Sequence, residues 1–174
     1  MRAWRFLPLI LFGLVVGAIV WRLATPADTR VESKLVGKPL PAFDLPPGLP
    51  GKLGLASADL ADGRPHLVNI FASWCVPCVT EAGVLMELKR RGVAVEGIAI
   101  RDRSEDLARF VARHGDPFDR IGGDYQSAVQ IALGSSGVPE SFIVDGKGVI
   151  RYQHVGPIAA DEVPMILEQV RKAQ

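Results

Sequence analysis

The segment HLVNIFASWCVPCVTEAGVLMELKRRG, residues 66–92, decides the reading of the whole chain. Residues 66–72 form a nearly continuous apolar run, the pattern of a central strand buried on both faces. From Pro77 the pattern changes. Val79, Leu85, Met86 and Leu88 supply the apolar positions of a helix, Lys89, Arg90 and Arg91 suit its C-terminal end, and Gly92 stops it. At the junction lie Cys75 and Cys78, the only cysteines in 174 residues. A buried strand that runs into a helix through Cys-Val-Pro-Cys predicts an α/β domain with two thiols at the junction.

Further along, residues 93–100 (VAVEGIAI) read as the next strand. Residues 104–115 read as a helix beginning at a capping Ser104, with Leu107, Phe110 and Val111 at helical spacing. Residues 124–133 read as a short helix, and residues 140–155 as a hairpin turning at Asp145-Gly146-Lys147-Gly148. Residues 161–173 close the chain as a helix that tolerates Pro164 only because it falls in the first turn. The sum, β-α-β-α-β-β-α, is a mixed β-sheet with helices on both faces. Residues 37–52, rich in proline and glycine, form an extended, turn-rich lead-in.

The N-terminus reads differently. Residues 6–20 carry no charge, and Trp4 and Trp21 bracket the run as interface aromatics do. Counted from Trp4 to Leu23, with Arg5 and Arg22 able to snorkel, the segment approaches the about 20 residues that span a bilayer. The competing reading is a cleaved signal peptide, but Ala24-Thr25-Pro26-Ala27 is a poor cleavage site. The expectation is therefore an uncleaved anchor over 1–23, a polar linker over 24–37 and one globular domain over 38–174. Arg2 and Arg5 favour a cytoplasmic N-terminus, which puts the domain where thiol pairs oxidise. Without Arg2, Arg5 and Arg22 the chain holds 17 basic and 19 acidic side chains. No basic patch of the kind a nucleic-acid binder shows is present.

Three chemistries compete for Cys75 and Cys78. A structural disulfide across two residues closes a tiny loop and removes little unfolded-state entropy. A metal site needs more ligands than two thiolates, and His66, His114 and His154 are scattered. A covalent haem site needs histidine where Val79 stands. The redox reading explains more. A helix N-terminus favours anions, so Cys75 is expected to be the exposed nucleophile, with Cys78 a turn inward to resolve the mixed disulfide. The expectation is no metal and no cofactor beyond that redox-active disulfide. In peroxiredoxins a threonine three residues before the reactive cysteine helps bind peroxide, and that position here is Ala72.

FASWCVPC, followed about 60 residues later by GVPESFIVDGKGVIRYQHVG, resembles the thioredoxin superfamily. With the anchor and the lead-in VGKPLPAFDLP it resembles more narrowly the membrane-anchored CcmG/DsbE thiol:disulfide interchange proteins of cytochrome c maturation. The resemblance implies a thioredoxin-like fold and a cis-proline at Pro139 facing the cysteines. It implies that Val138, Glu140 and Trp74 border the client, and that Glu81, Glu140 and Asp124 are acidic groups around the thiols. Negative charge beside a thiolate opposes its formation and makes the couple more reducing. The chain also departs from relatives. Asn69 stands where thioredoxin has a buried aspartate, shifting the proton-accepting role toward Glu81. Val79 and Gly83 replace a residue that is often polar or basic and a helix-kinking proline.

The function so implied is a single-pass inner-membrane protein with its domain in the bacterial periplasm. It would reduce disulfides of apocytochrome c, or of cytochrome c assembly proteins, and be recharged by a DsbD/CcdA-type membrane electron donor. The competing readings are a general periplasmic disulfide oxidant or reductant, and a non-catalytic metal or apocytochrome chaperone.

Overall fold

The structure, a computed structural model, describes residues 6–24 and 34–174, without the side chains of residues 23 and 24. The chain divides into two compact units, Met1–Arg30 and Val31–Gln174. In the first, helix α1 spans Leu7–Ala24 and exposes apolar side chains that include Leu9, Ile10, Leu11, Phe12 and Leu14. Its 18 residues reach about 27 Å at the usual helical rise, short of the about 30 Å of a bilayer's hydrocarbon core. Among the described residues no helix is long and apolar enough to cross a membrane. Arg2, Trp4 and Arg5 of the expected anchor, and residues 25–33 of the expected linker, lie outside the described residues.

The second unit is built on a five-stranded sheet. Its strands are β3 (His66–Phe71), β4 (Ala94–Ile100), β5 (Ile121–Asp124), β6 (Glu140–Val144) and β7 (Ile150–Val155), in the order β5-β4-β3-β6-β7. Strands β3, β4 and β5 run parallel, and β6 and β7 add antiparallel. Helices α2 (Val76–Arg90), α3 (Ser104–His114), α4 (Ala128–Ala132) and α5 (Val163–Lys172) flank it. A two-stranded ribbon, β1 (Asp44–Leu45) with β2 (Leu55–Ala56), precedes it. Every residue of β3 and of β4 is buried, as expected for parallel strands covered on both faces. Phe71 at the end of β3 stacks on Phe118 with ring centroids 4.5 Å apart, which joins the central strand to the segment leading into β5.

The mixed sheet, α2, α3, α5 and the β6–β7 hairpin agree with the sequence reading, and Pro164 does sit in the first turn of α5. Strand β5 departs from it. The sequence reading places a helix over 124–133 and no strand before it. In the structure residues 121–124 pair with β4, and α4 covers only Ala128–Ala132. Ile-Gly-Gly-Asp holds a single β-branched residue beside two glycines and an aspartate, all three of types depleted in strands, so composition hides it. The glycines are there because neighbouring side chains come close: a Cβ on Gly123 would lie 2.8 Å from the Tyr125 ring. A Cβ on Gly122 would lie 2.8 Å from the Leu45 side chain, and Gly123 donates its N–H to the Pro46 carbonyl at 2.8 Å. Ser104 also differs: the N-cap of α3 is Arg103, and Ser104 is its first helical residue, followed by Glu105 and Asp106 in the first turn.

Candidate active site

The junction between β3 and α2 places both sulfurs. The Cys75 N–H donates to the Ala72 carbonyl at 3.2 Å, which turns the chain out of the strand. Cys75 is then the N-cap of α2, and its Sγ accepts the Cys78 N–H at 3.2 Å. Pro77 occupies the first turn, where its missing N–H costs nothing. Cys75 and Cys78 form a disulfide with Cα atoms 5.3 Å apart. The same N–H that reaches Cys75 Sγ, with the helix N-terminus behind it, would favour a thiolate there after reduction.

Exposure corrects one expectation. Cys75 and Cys78 are 4% and 3% exposed, so the first is no more open than the second. The cause is the cap geometry, which folds Cys75 Sγ back onto the helix while Trp74 and Val76 on either side face solvent. Trp74 is 57% exposed and, with Ser73 and with Arg109 and Arg113 of α3, lines an open groove of about 260 Å³ next to the Cys-x-x-Cys segment.

Beneath the disulfide sits a buried carboxyl. Glu81 is one turn along α2 from Cys78, on the same face, and is 1% exposed. Its Oε1 accepts the Ile158 N–H at 3.0 Å, and its Oε2 accepts Asn69 Nδ2 at 3.2 Å. Burial pushes its pKa up to about 7, against the pull of the Ile158 and Asn69 hydrogen bonds and with a small push from Glu162. A carboxyl that titrates near neutrality suits proton transfer at working pH. Asn69 Nδ2 also donates to Ser141 Oγ at 3.0 Å, so one amide links β3, α2 and β6.

The other predicted residues fall into two groups. Val138 and Pro139 come to the thiols through sheet register. Ile70 faces Glu140 across the β3–β6 pair, so the next steps outward set Pro139 and Val138 beside the segment leading to Cys75. The Val138–Pro139 bond is cis. Pro139 is buried and Val138 half-buried. Glu140 and Asp124 are buried with their carboxylates already engaged. Glu140 accepts Ser135 Oγ at 2.8 Å, the Ser136 N–H at 3.0 Å and Gln153 Nε2, which ties down the turn before the cis-proline. Asp124 accepts the N–H groups of Ala128 and Gln130, both at 2.9 Å, and so caps α4.

Asp102 was not singled out by the sequence reading. It lies two residues past the end of β4, and its carboxylate accepts the Ser73 N–H at 2.5 Å, the Ser73 O–H at 2.6 Å and the Arg103 N–H at 3.0 Å. This clamp fixes the residue two before Cys75. The only local signal was a lone acid at the end of an apolar strand. Asp102→Ala strands the Ser73 N–H, and a loss of about 1–3 kcal/mol is expected for such a group, to be read by urea unfolding of the oxidised protein.

Residues 35–170 match the Redoxin family. The chain is 38% identical over 161 residues to the thiol:disulfide interchange protein DsbE of Tatumella citrea, covering 90% of this chain and 86% of that one. It is 36% identical over 158 residues to the thiol:disulfide interchange protein HelX of Rhodobacter capsulatus, covering 91% and 89%. Among solved structures, a thiol:disulfide interchange protein of the thioredoxin family from Chlorobium tepidum TLS matches with a TM-score of 0.63 at 24% identity, over 84% of this chain and 99% of that one. That last likeness establishes the thioredoxin-like fold. With a Cys-x-x-Cys pair at disulfide distance on this fold, the protein is a thiol:disulfide oxidoreductase that belongs to the Redoxin family, among the DsbE/HelX thiol:disulfide interchange proteins.

Proposed function

We propose that the protein is a membrane-tethered periplasmic reductant that opens disulfides in apocytochrome c, or in its assembly partners, during cytochrome c maturation. The observation that carries the reductive direction is the buried Glu81 carboxyl below the disulfide. A carboxylate there opposes a thiolate at Cys78 and works against the pull of the helix N-terminus on Cys75, and a dithiol whose reduced form is less stabilised gives up its electrons more readily. The uncharged run 6–20 supports the tether, which holds the domain near membrane-bound partners at raised effective concentration.

The reaction balances over two displacements. The Cys75 thiolate attacks one sulfur of the client disulfide; that S–S bond breaks, one client thiolate leaves, and a mixed disulfide forms. Cys78 passes its proton to the Glu81 carboxylate and attacks Cys75 Sγ. The Cys75–Cys78 bond forms, the second client thiolate leaves and takes up a proton. Two electrons have moved to the client. Trp74, Val138 and Pro139 border the attacked sulfur, and Val138 offers its backbone to an extended client strand. A DsbD/CcdA-type membrane donor returns the two electrons.

The test is the reduction potential of the full-length protein in detergent, equilibrated against glutathione or dithiothreitol. A potential well below about −200 mV is expected. A value around −120 mV, the oxidising end of this chemistry, would overturn the reductant reading in favour of a disulfide oxidant.

A further inference from the structure

Asn69 lies at the centre of β3, fully buried, in a sheet position where an apolar residue would pack without cost. Both of its side-chain hydrogen bonds are donated by Nδ2, to Glu81 Oε2 at 3.2 Å and to Ser141 Oγ at 3.0 Å. Its Oδ1 is buried without a hydrogen-bond partner. An unsatisfied buried amide oxygen costs about 1–3 kcal/mol, and such groups concentrate where a site needs them. The carboxyl of Glu81 has a matching peculiarity. Each of its oxygens faces a donor: Oε1 the Ile158 N–H, Oε2 the Asn69 amide. That surrounding suits the carboxylate. A proton on Oε2 would point at Nδ2, donor against donor.

Turning the Asn69 amide by 180° about its last side-chain bond removes the conflict. Oδ1 then takes the place of Nδ2 and accepts the Glu81 O–H on one lone pair and the Ser141 O–H on the other. Nδ2 takes the unpartnered place. Each orientation leaves one amide group unsatisfied, so neither is strongly preferred until Glu81 decides between them. We propose that Asn69 is a positioning residue whose amide turns over with each protonation of Glu81, donating to the carboxylate and accepting from the acid, so that the proton acceptor below the disulfide stays aimed throughout the cycle. This rests on the reading of Glu81 as the acceptor of the Cys78 proton. The other groups near Glu81 are the Ile158 N–H, which donates to it, Glu162 with its His154 partner at 3.5 Å, and Cys78 one turn back on its own helix; Ser141 on β6 reaches it only through Asn69. Of these the Ile158 N–H can only donate; the Asn69 amide, with the Ser141 hydroxyl turning beside it, can change from donor to acceptor where it stands.

The experiment is nuclear magnetic resonance on the oxidised full-length protein in detergent, with Glu and Asn side chains labelled. Above the Glu81 midpoint, cross-peaks from the Asn69 Nδ2 protons to the Ser141 β-protons are expected, and below it they should vanish. In Glu81→Gln, whose amide needs an acceptor on the Asn69 side, they should be missing at every pH. Asn69 contacts that stay the same through the Glu81 titration would overturn the proposal. In kinetics with an aryl disulfide as the only oxidant, Asn69→Leu removes both the donor to the carboxylate and the acceptor for the acid, of which the charge-assisted bond to the carboxylate is the stronger. The pH midpoint of mixed-disulfide resolution should then rise by at least about one unit, a tenfold change in proton affinity, with the resolving step about tenfold slower at pH 7. An unchanged midpoint in a folded Asn69→Leu protein would equally overturn it. Neither measurement involves a cytochrome, so a failure here leaves the client assignment standing.

Discussion

Replacing Cys75 with serine abolishes disulfide reduction, a loss on the order of 10⁴-fold or more, because a thiolate is replaced by a hydroxyl that stays protonated at working pH. Cys78→Ser is expected to behave oppositely: it should still attack and then stop. Its Cys75 has the same cap position at the N-terminus of α2 and loses only the partner that completes the exchange. The mixed disulfide then accumulates, to be isolated without reductant and its client identified by mass. This pair of variants separates the catalytic reading from the chaperone reading. A Cys75→Ser protein that supports cytochrome maturation as well as the wild type would sink the enzyme cycle written above. A Cys78→Ser trap that holds no apocytochrome and no assembly factor would leave the oxidoreductase intact and remove its proposed client.

Glu81→Gln is expected to stabilise the oxidised protein at pH 8 by about 3 kcal/mol relative to wild type, with the difference fading below about pH 5. The sign follows from burial. In the fold the Glu81 pKa is pushed up to about 7 from 4.5, so the native protein binds this proton more tightly than the unfolded chain does. The penalty for a buried carboxylate is absent below the unfolded pKa, grows as pH rises between the two values, and is complete above the folded one. Glutamine has no such titration. It does accept the Ile158 N–H and, with Asn69 turned, donates to Oδ1, so the cavity stays filled. His66, whose pKa is raised by its Glu96 and Asp62 hydrogen bonds despite burial, titrates in both proteins and cancels in the difference. Urea unfolding at several pH values reads the effect. Parallel stability curves for the two proteins would show that Glu81 does not carry an elevated pKa. The same variant should resolve mixed disulfides more slowly near neutrality, since Cys78 loses its proton acceptor while Cys75 still attacks.

That opposition, a more stable protein that turns over less well, is what a tuned acidic group in a core produces. The sequence announces Glu81 only weakly, as an acid three residues after Cys78 that a solvated helix face would also explain. Its surroundings are what make it functional, and they come from far along the chain: Asn69 on β3, Ser141 on β6 and the Ile158 N–H beyond β7. Glu140 and Asp124 teach the converse. As acids near a Cys-x-x-Cys motif they invite the same role. In the fold Glu140 is taken up by Ser135, Ser136 and Gln153, and Asp124 by the amides of α4.

By itself the sequence determined what depends on near neighbours. The buried run of β3, the start of α2 around Pro77, the turn of the β6–β7 hairpin and the thiol pair all rest on residues within one or two turns of each other, where periodicity and turn chemistry report directly. The tertiary structure alone decided the rest. It made a strand of Ile-Gly-Gly-Asp because that segment pairs with β4 and donates to the Leu53 and Pro46 carbonyls. It closed Cys75 off from solvent, clamped Ser73 with Asp102, and chose which carboxylate would be buried beneath the disulfide with its proton in play. The physical reason is that a carboxyl group's proton affinity is set by desolvation and by the donors around it, and those arrive only when distant segments pack.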